Sequence, residues 1–203
     1  MPPEALELVA WYATNDLDPD QELWRTQTSS GDVYYSGDIL TNGINTARGT
    51  AAIAMAKLID RDGNRIRYFL AALENMVQDS SIAVRSWVAQ ALLAVLRHDR
   101  DLAVRLFQKL CDTEEDLLQT HYADRFLNFA LQTHFQALSP ILERMVSSEI
   151  AEVATVDARQ GCLASLELEE ARSIAELCLS GSEALRIGAA QVMAANVRTA
   201  TYR

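Results

Sequence analysis

The sequence predicts an all-α fold built from repeated helix pairs, and three observations carry that prediction. The chain has only 8 Gly and 4 Pro in 203 residues, while Ala, Leu, Arg, Glu and Gln, all good helix formers, recur throughout. Apolar residues fall at i, i+3, i+4 and i+7, the spacing of one buried helical stripe. That stripe then returns at intervals of 33 to 37 residues, a period typical of helical solenoids.

The stripe is clearest at Ile66, Phe69, Leu70, Leu73, Met76 and Val77. It recurs as Ala103, Leu106, Phe107 and Leu110, then as Leu138, Ile141, Leu142 and Met145, and again as Ala171, Ile174, Ala175 and Cys178. Between these stripes lies a second set of helices, each with an arginine near its start: Arg48, Arg85, Arg125, Arg159 and Arg186. Small or apolar residues follow most of these arginines three and four positions on, as expected for a helix sandwiched between two others. The second helices are apolar over a wider arc, as Val84, Val88, Ala91, Leu92, Val95 and Leu96 show. Punctuation supports the pairing. Asp79-Ser80-Ser81 offers N-cap side chains, Ser139-Pro140 reads as an N-cap followed by the first helical position, and Ser180 with Glu183 fits a capping box. The expected architecture is an α-α superhelix of four to five helix pairs over residues 42–203, continuous with an N-terminal helix and an irregular segment over 1–41.

Residues 79–92, Asp-Ser-Ser-Ile-Ala-Val-Arg-Ser-Trp-Val-Ala-Gln-Ala-Leu, resemble the HEAT repeat's Asp…Val-Arg…Ala…Leu pattern, and the five arginines match its arginine position. Only this unit keeps the aspartate; Asn42, Gln119, Val153 and Ser180 stand six residues before the other arginines. The resemblance spans about residues 41–203 and implies an ARM-type solenoid used as a scaffold for protein partners. A weaker resemblance, carried by Gly43-Ile-Asn-Thr-Ala-Arg-Gly49, is to the helical-repeat tails of large bacterial signal-transduction and defence NTPases. It implies that the chain is a region of a larger bacterial protein. The resemblance also implies that the arginine ladder is structural, each arginine pairing with carboxylates and helix ends, in preference to lining a concave face for an acidic partner.

Residues 14–41 break the repeat. Asp18-Pro19 could start one or two helical turns carrying Leu23 and Trp24, and the remainder is Thr, Ser, Gly and Asp around Val33, Tyr34 and Tyr35. Loops this long are uncommon in compact domains unless they are functional or disordered, and interior aromatics argue against disorder. Five of the nine Trp and Tyr residues fall in the first 40 positions. Residues 1–40 also hold eight acids against one base, Arg25, for a net −7 out of −10 for the chain. Aromatic rings amid charge are common at interaction hot spots, whereas solenoids also need their first repeat capped. Both roles are open to this segment. The candidate partner-binding residues are Trp24, Asp32, Tyr34, Tyr35, Asp38, Asn42 and Asn45, and the acidic excess suits a protein partner with a basic surface.

No catalytic, cofactor-binding or metal site is expected. His98, His121 and His134 have no i, i+4 pairing, no Cys-x-x-Cys occurs, and Gly43 and Gly49 do not complete a phosphate loop or dinucleotide fingerprint. Cys111, Cys162 and Cys178 read as small core residues rather than a disulfide framework. The acidity disfavours nucleic-acid binding, which stays as the alternative function, with a HEAT-like lyase behind it. No apolar run reaches the roughly 18 residues a membrane span needs and no signal peptide opens the chain, so a cytoplasmic location is expected.

Overall fold

The computed structural model describes residues 2–17 and 22–200. Among them the chain is all-helical: ten α-helices joined by short 3-10 turns, with no strand beyond an isolated bridge between Gln27 and Val33. The Asp18-Pro19 helix start and the terminal Tyr202-Arg203 lie outside the described residues. No helix among those described is long and apolar enough to cross a membrane. The chain divides into two compact units, Met1–Phe126 and Leu127–Arg203, and the division falls inside a long helix.

The first unit opens with α1 (Pro3–Asn15), whose proline at the first helical position has no N–H to leave unpaired. Two 3-10 turns follow, at Leu23–Arg25 and Tyr34–Gly37. Then come α2 (Ile39–Ile44), α3 (Ala47–Arg61), α4 (Ile66–Met76), α5 (Ile82–Leu96) and α6 (Arg100–Leu110). Side chains cap the starts: Thr46 Oγ accepts from the Gly49 N–H, Ser81 Oγ from Val84 N–H, and Asp99 from Leu102 N–H. Helix α1 packs on α3 and α4, while α5 packs on α2, α3 and α6. Because α5 is covered on several sides, its wide apolar arc is buried almost completely, including Val84, Val88, Ala91, Leu92, Val95 and Leu96. Helices α4 and α6 each bury a single stripe, Phe69 and Leu73 in one, Leu106, Phe107 and Leu110 in the other. Phe107 then stacks on Phe126 with ring centroids 4.0 Å apart.

The long helix is α7 (His121–Val146), broken at His134, where the backbone leaves helical geometry at φ −133°, ψ 36°. This corrects the expected N-cap at Ser139-Pro140. The second helical stretch begins just after His134, so Pro140 lies inside it. Proline cannot donate to the Gln136 carbonyl, which instead accepts from Ser139 Oγ at 3.4 Å. In the second unit α8 (Ala151–Ser165) packs on α9 (Arg172–Ser180) and α10 (Glu183–Ala200), and α9 packs on α10. The capping box at Ser180 is corrected too: Ser180 ends α9 and donates to the Glu176 carbonyl, while the Ser182 hydroxyl accepts from the Leu185 N–H. All three cysteines are free and buried.

Candidate functional site

The N-terminal segment of the first unit is held by polar anchors. Glu22 supplies two of them. Its Oε1 accepts from the Ile82 N–H at 2.8 Å, at the start of α5, and its Oε2 accepts from Trp24 Nε1 at 2.6 Å. The Trp24 backbone N–H donates to Asn42 Oδ1 at 2.9 Å, and both residues are buried. The Arg25 guanidinium lies 4.4 Å over the Trp24 ring and reaches Glu114 at 2.6 Å and Asp116 at 3.0 Å. On the other side α2 sits hard against α5: a Cβ on Gly43 would fall 2.3 Å from the Ala83 carbonyl oxygen, so only glycine fits. Trp87 Nε1 donates to the Leu40 carbonyl at 2.9 Å across the same contact.

The seven candidates therefore divide. Trp24 and Asn42 belong to the buried anchor and cannot present their side chains to a partner. Asp32, Tyr34, Asp38 and Asn45 are exposed, and Tyr35 is half-buried. Asp38 caps α2 through the Thr41 N–H, and Asn45 Nδ2 donates to the Thr41 carbonyl at 2.7 Å. Tyr34 and Tyr35 lie with ring centroids 6.4 Å apart in a tight turn where Tyr35 and Ser36 both take positive φ (53°). Left-handed geometry at two consecutive non-glycine residues is strained, and here it turns the chain from the 27–33 bridge into α2.

Two ladder arginines build an internal strut in this unit. Arg48 Nη1 donates to the Asp16 carbonyl at 2.7 Å, and its Nε lies 2.9 Å from Asp79 Oδ2, with both side chains almost fully enclosed. Arg85 Nε donates to the Asp79 carbonyl at 2.5 Å, and its Nη1 reaches the Leu110 and Asp112 carbonyls at 3.2 and 3.1 Å. Burial pushes the Asp79 carboxyl above its ordinary range, and the hydrogen bond from Ser81 and the two arginines pull it only part of the way back. In the second unit the exposed Arg186 donates to the Gly181 carbonyl. Arg125 is exposed and Arg159 half-buried.

Sequence reasoning missed an open groove of about 560 Å³ in the first unit. Val9 and Tyr12 of α1 form one wall, Ile44 and Asn45 at the end of α2 the other, and Ala47, Thr50, Ala51 and Ala54 pave the floor along α3. Tyr12 and Ile44 are exposed, as are Leu8 and Trp11 on the neighbouring face of α1. The two lining threonines are already engaged within the chain. Thr46 Oγ is shared between the Gly43 carbonyl and the Gly49 N–H, and Thr50 Oγ donates to the Ile44 carbonyl at 3.0 Å. The signal available in the sequence was the i, i+3, i+4, i+7 run of small residues from Ala47 to Ala54, but such a run also fits a helix packed within the chain.

The second unit holds a different polar cluster. Asp157 is fully buried on α8; its Oδ2 lies 3.6 Å from the Cys178 thiol of α9, and its Oδ1 has no hydrogen-bond partner. Burial pushes its carboxyl up to about 8, and the Cys178 bond offsets little of that. Contact with Cys162 and burial likewise hold the Cys178 thiol above its ordinary range, while the same contact pulls the Cys162 thiol down. No group of three or more His, Cys, Asp or Glu side chains suited to a metal ion occurs among the described residues. No protein-family model matches the chain, and no curated protein or solved structure is significantly similar to it.

Proposed function

We propose that this chain is a protein–protein interaction module: a HEAT-like helical scaffold that presents the surface of its N-terminal region to a protein partner with a basic surface. The observation that carries the reading is the exposure of Leu8, Trp11, Tyr12, Tyr34 and Ile44 in the region that also concentrates the chain's uncompensated acids. Large apolar groups beside uncompensated charge are costly to leave in water and are typical of recognition surfaces. The scaffold part rests on the packing order within each unit, where arginine-bearing helices stack on one another, α3 on α5 and α8 on α10. The polar lining of the groove favours binding over chemistry, because its threonine hydroxyls are spent on backbone partners and its one titratable side chain is Tyr12.

The test is chemical cross-linking and pull-down from lysate of the source cells, comparing the wild-type chain with Trp11→Ala/Tyr12→Ala/Tyr34→Ala at matched folded content. A defined protein partner should be recovered with the wild type and lost with the triple variant. Equal recovery, or enrichment only of nucleic acid on the same beads, overturns the reading.

A further inference from the structure

We infer that Asn42-Gly43 is a modification site, where Asn42 deamidates spontaneously whenever the anchor at residues 22–25 releases helix α2. The chain has seven asparagines, and Asn42 alone is followed by glycine. That neighbour matters because the reaction begins when the backbone nitrogen of the next residue attacks the asparagine side-chain carbonyl, and a residue without a Cβ leaves the path open. The packing explains why this labile pair stands here. Asn42 Oδ1 accepts the Trp24 backbone N–H at 2.9 Å, and a Cβ on residue 43 would fall 2.3 Å from the Ala83 carbonyl oxygen and 2.5 Å from the Trp87 ring. The contact that seats the N-terminal segment is thus made of the dipeptide in this chain most prone to deamidation.

In the seated state the reaction is blocked. Asn42 is 1% exposed, its backbone N–H donates to the Asp38 carbonyl at 3.1 Å, and Trp24 holds its Oδ1. Helical geometry keeps the Gly43 nitrogen away from Asn42 Cγ. Yet α2 is only six residues long and is held from outside, by the Trp24 N–H and by the bond from Trp87 Nε1 to the Leu40 carbonyl. A helix that short unwinds when its neighbours leave. Glu22 keeps them in place, with one carboxylate oxygen on the Ile82 N–H and the other on Trp24 Nε1. Once α2 opens, the Gly43 N–H loses its proton and the nitrogen attacks Asn42 Cγ. A C–N bond forms, and Nδ2 leaves with the proton as ammonia. Water then opens the succinimide at either carbonyl, leaving aspartate or isoaspartate, with no change of oxidation state. Neither product fits the old seat. Aspartate brings a second carboxylate to the clamp on Trp24 that Glu22 already supplies, at a buried position, and isoaspartate lengthens the backbone of α2 by a methylene.

The experiment ages the purified full chain in mildly alkaline buffer and follows every asparagine by peptide mass spectrometry. It compares the wild type with Glu22→Ala, which removes both carboxylate anchors, and with a synthetic peptide of residues 38–46, which gives the ungated rate. Circular dichroism confirms that the variant is folded, and wild type in urea below its unfolding transition opens the segment without any substitution. Asn42 should convert before the other six asparagines, and more slowly in the folded wild type than in the peptide. Conversion should be about tenfold faster in Glu22→Ala, the change that weakening the anchor by about 1.4 kcal/mol produces, and the urea arm should accelerate it in the same direction. Asn42→Asp, which reproduces one product, should lose hydrogen-exchange protection over residues 22–44. The inference is overturned if the folded wild type converts as fast as the peptide, or if neither Glu22→Ala nor urea speeds conversion at Asn42 above that of the other asparagines. Full protection in Asn42→Asp would overturn the structural consequence drawn for the aspartate product.

Discussion

Asp157→Asn isolates what one buried carboxyl does to the second unit. The wild-type carboxyl is held at about 8 against an ordinary value of 3.8, because α8 and α9 enclose it and only the Cys178 thiol donates to it. The folded-state value is raised, so its contribution is fully present below about pH 3.8 and is lost as pH rises through about 8. Between those limits the unfolded chain has released the proton and the folded chain has not. Each pH unit in that window costs about 1.4 kcal/mol, or on the order of 4 kcal/mol by pH 7. Asparagine keeps the shape and the neutrality and has no proton to lose, although its amide leaves two unpaired N–H donors where the protonated acid left one O–H. The variant should start below the wild type near pH 4 and gain on it steadily toward pH 8. Hydrogen exchange followed by mass spectrometry on peptides from 151–180 reads this directly. Trp11, Trp24 and Trp87, the chain's 3 tryptophans, all lie in the first unit, so their fluorescence serves as an internal control that should not move. A gap between the two proteins that is flat with pH, or one that favours the wild type as pH rises, refutes the reasoning.

Other perturbations test the frame and the candidate surface. Arg48→Ala leaves the Asp79 carboxylate enclosed with its nearest cation gone, and should cost about 3–5 kcal/mol at neutral pH in urea unfolding. That penalty should shrink in acid as Asp79 takes up a proton, and most of it should be recovered in Arg48→Met/Asp79→Asn. Gly43→Ala drives a Cβ to 2.3 Å from a backbone oxygen that cannot swing away and should destabilise the first unit by about 2 kcal/mol or more, with a shift in Trp87 emission. Trp24→Ala removes a buried ring and should lower stability by about 3–5 kcal/mol, whereas Tyr34→Ala should stay within about 0.5 kcal/mol; comparable losses at both positions would contradict their placement.

Periodicity alone determined most of the helices. The stripes at 66–77, 103–110 and 171–178 correspond to α4, α6 and α9, because burying one face of a helix imposes its 3.6-residue period on composition. The wide apolar arc of 84–96 correctly implied a helix enclosed by several neighbours. Local capping was less legible, since several hydroxyls stand close together at each junction and the backbone decides which one closes the turn. Ser182 rather than Ser180 was chosen at α10, and a break at His134 replaced a start at Pro140. Tertiary structure alone decided the roles of the aromatic and acidic N-terminal residues. Trp24 and Tyr34 are equivalent by composition, yet one is clamped between Glu22, Asn42 and Arg25 and the other is exposed, because contacts with residues 60 or more positions away, Ile82 and Glu114 among them, fix the segment. The groove is likewise a product of three helices meeting, and no linear pattern records the space they leave between them.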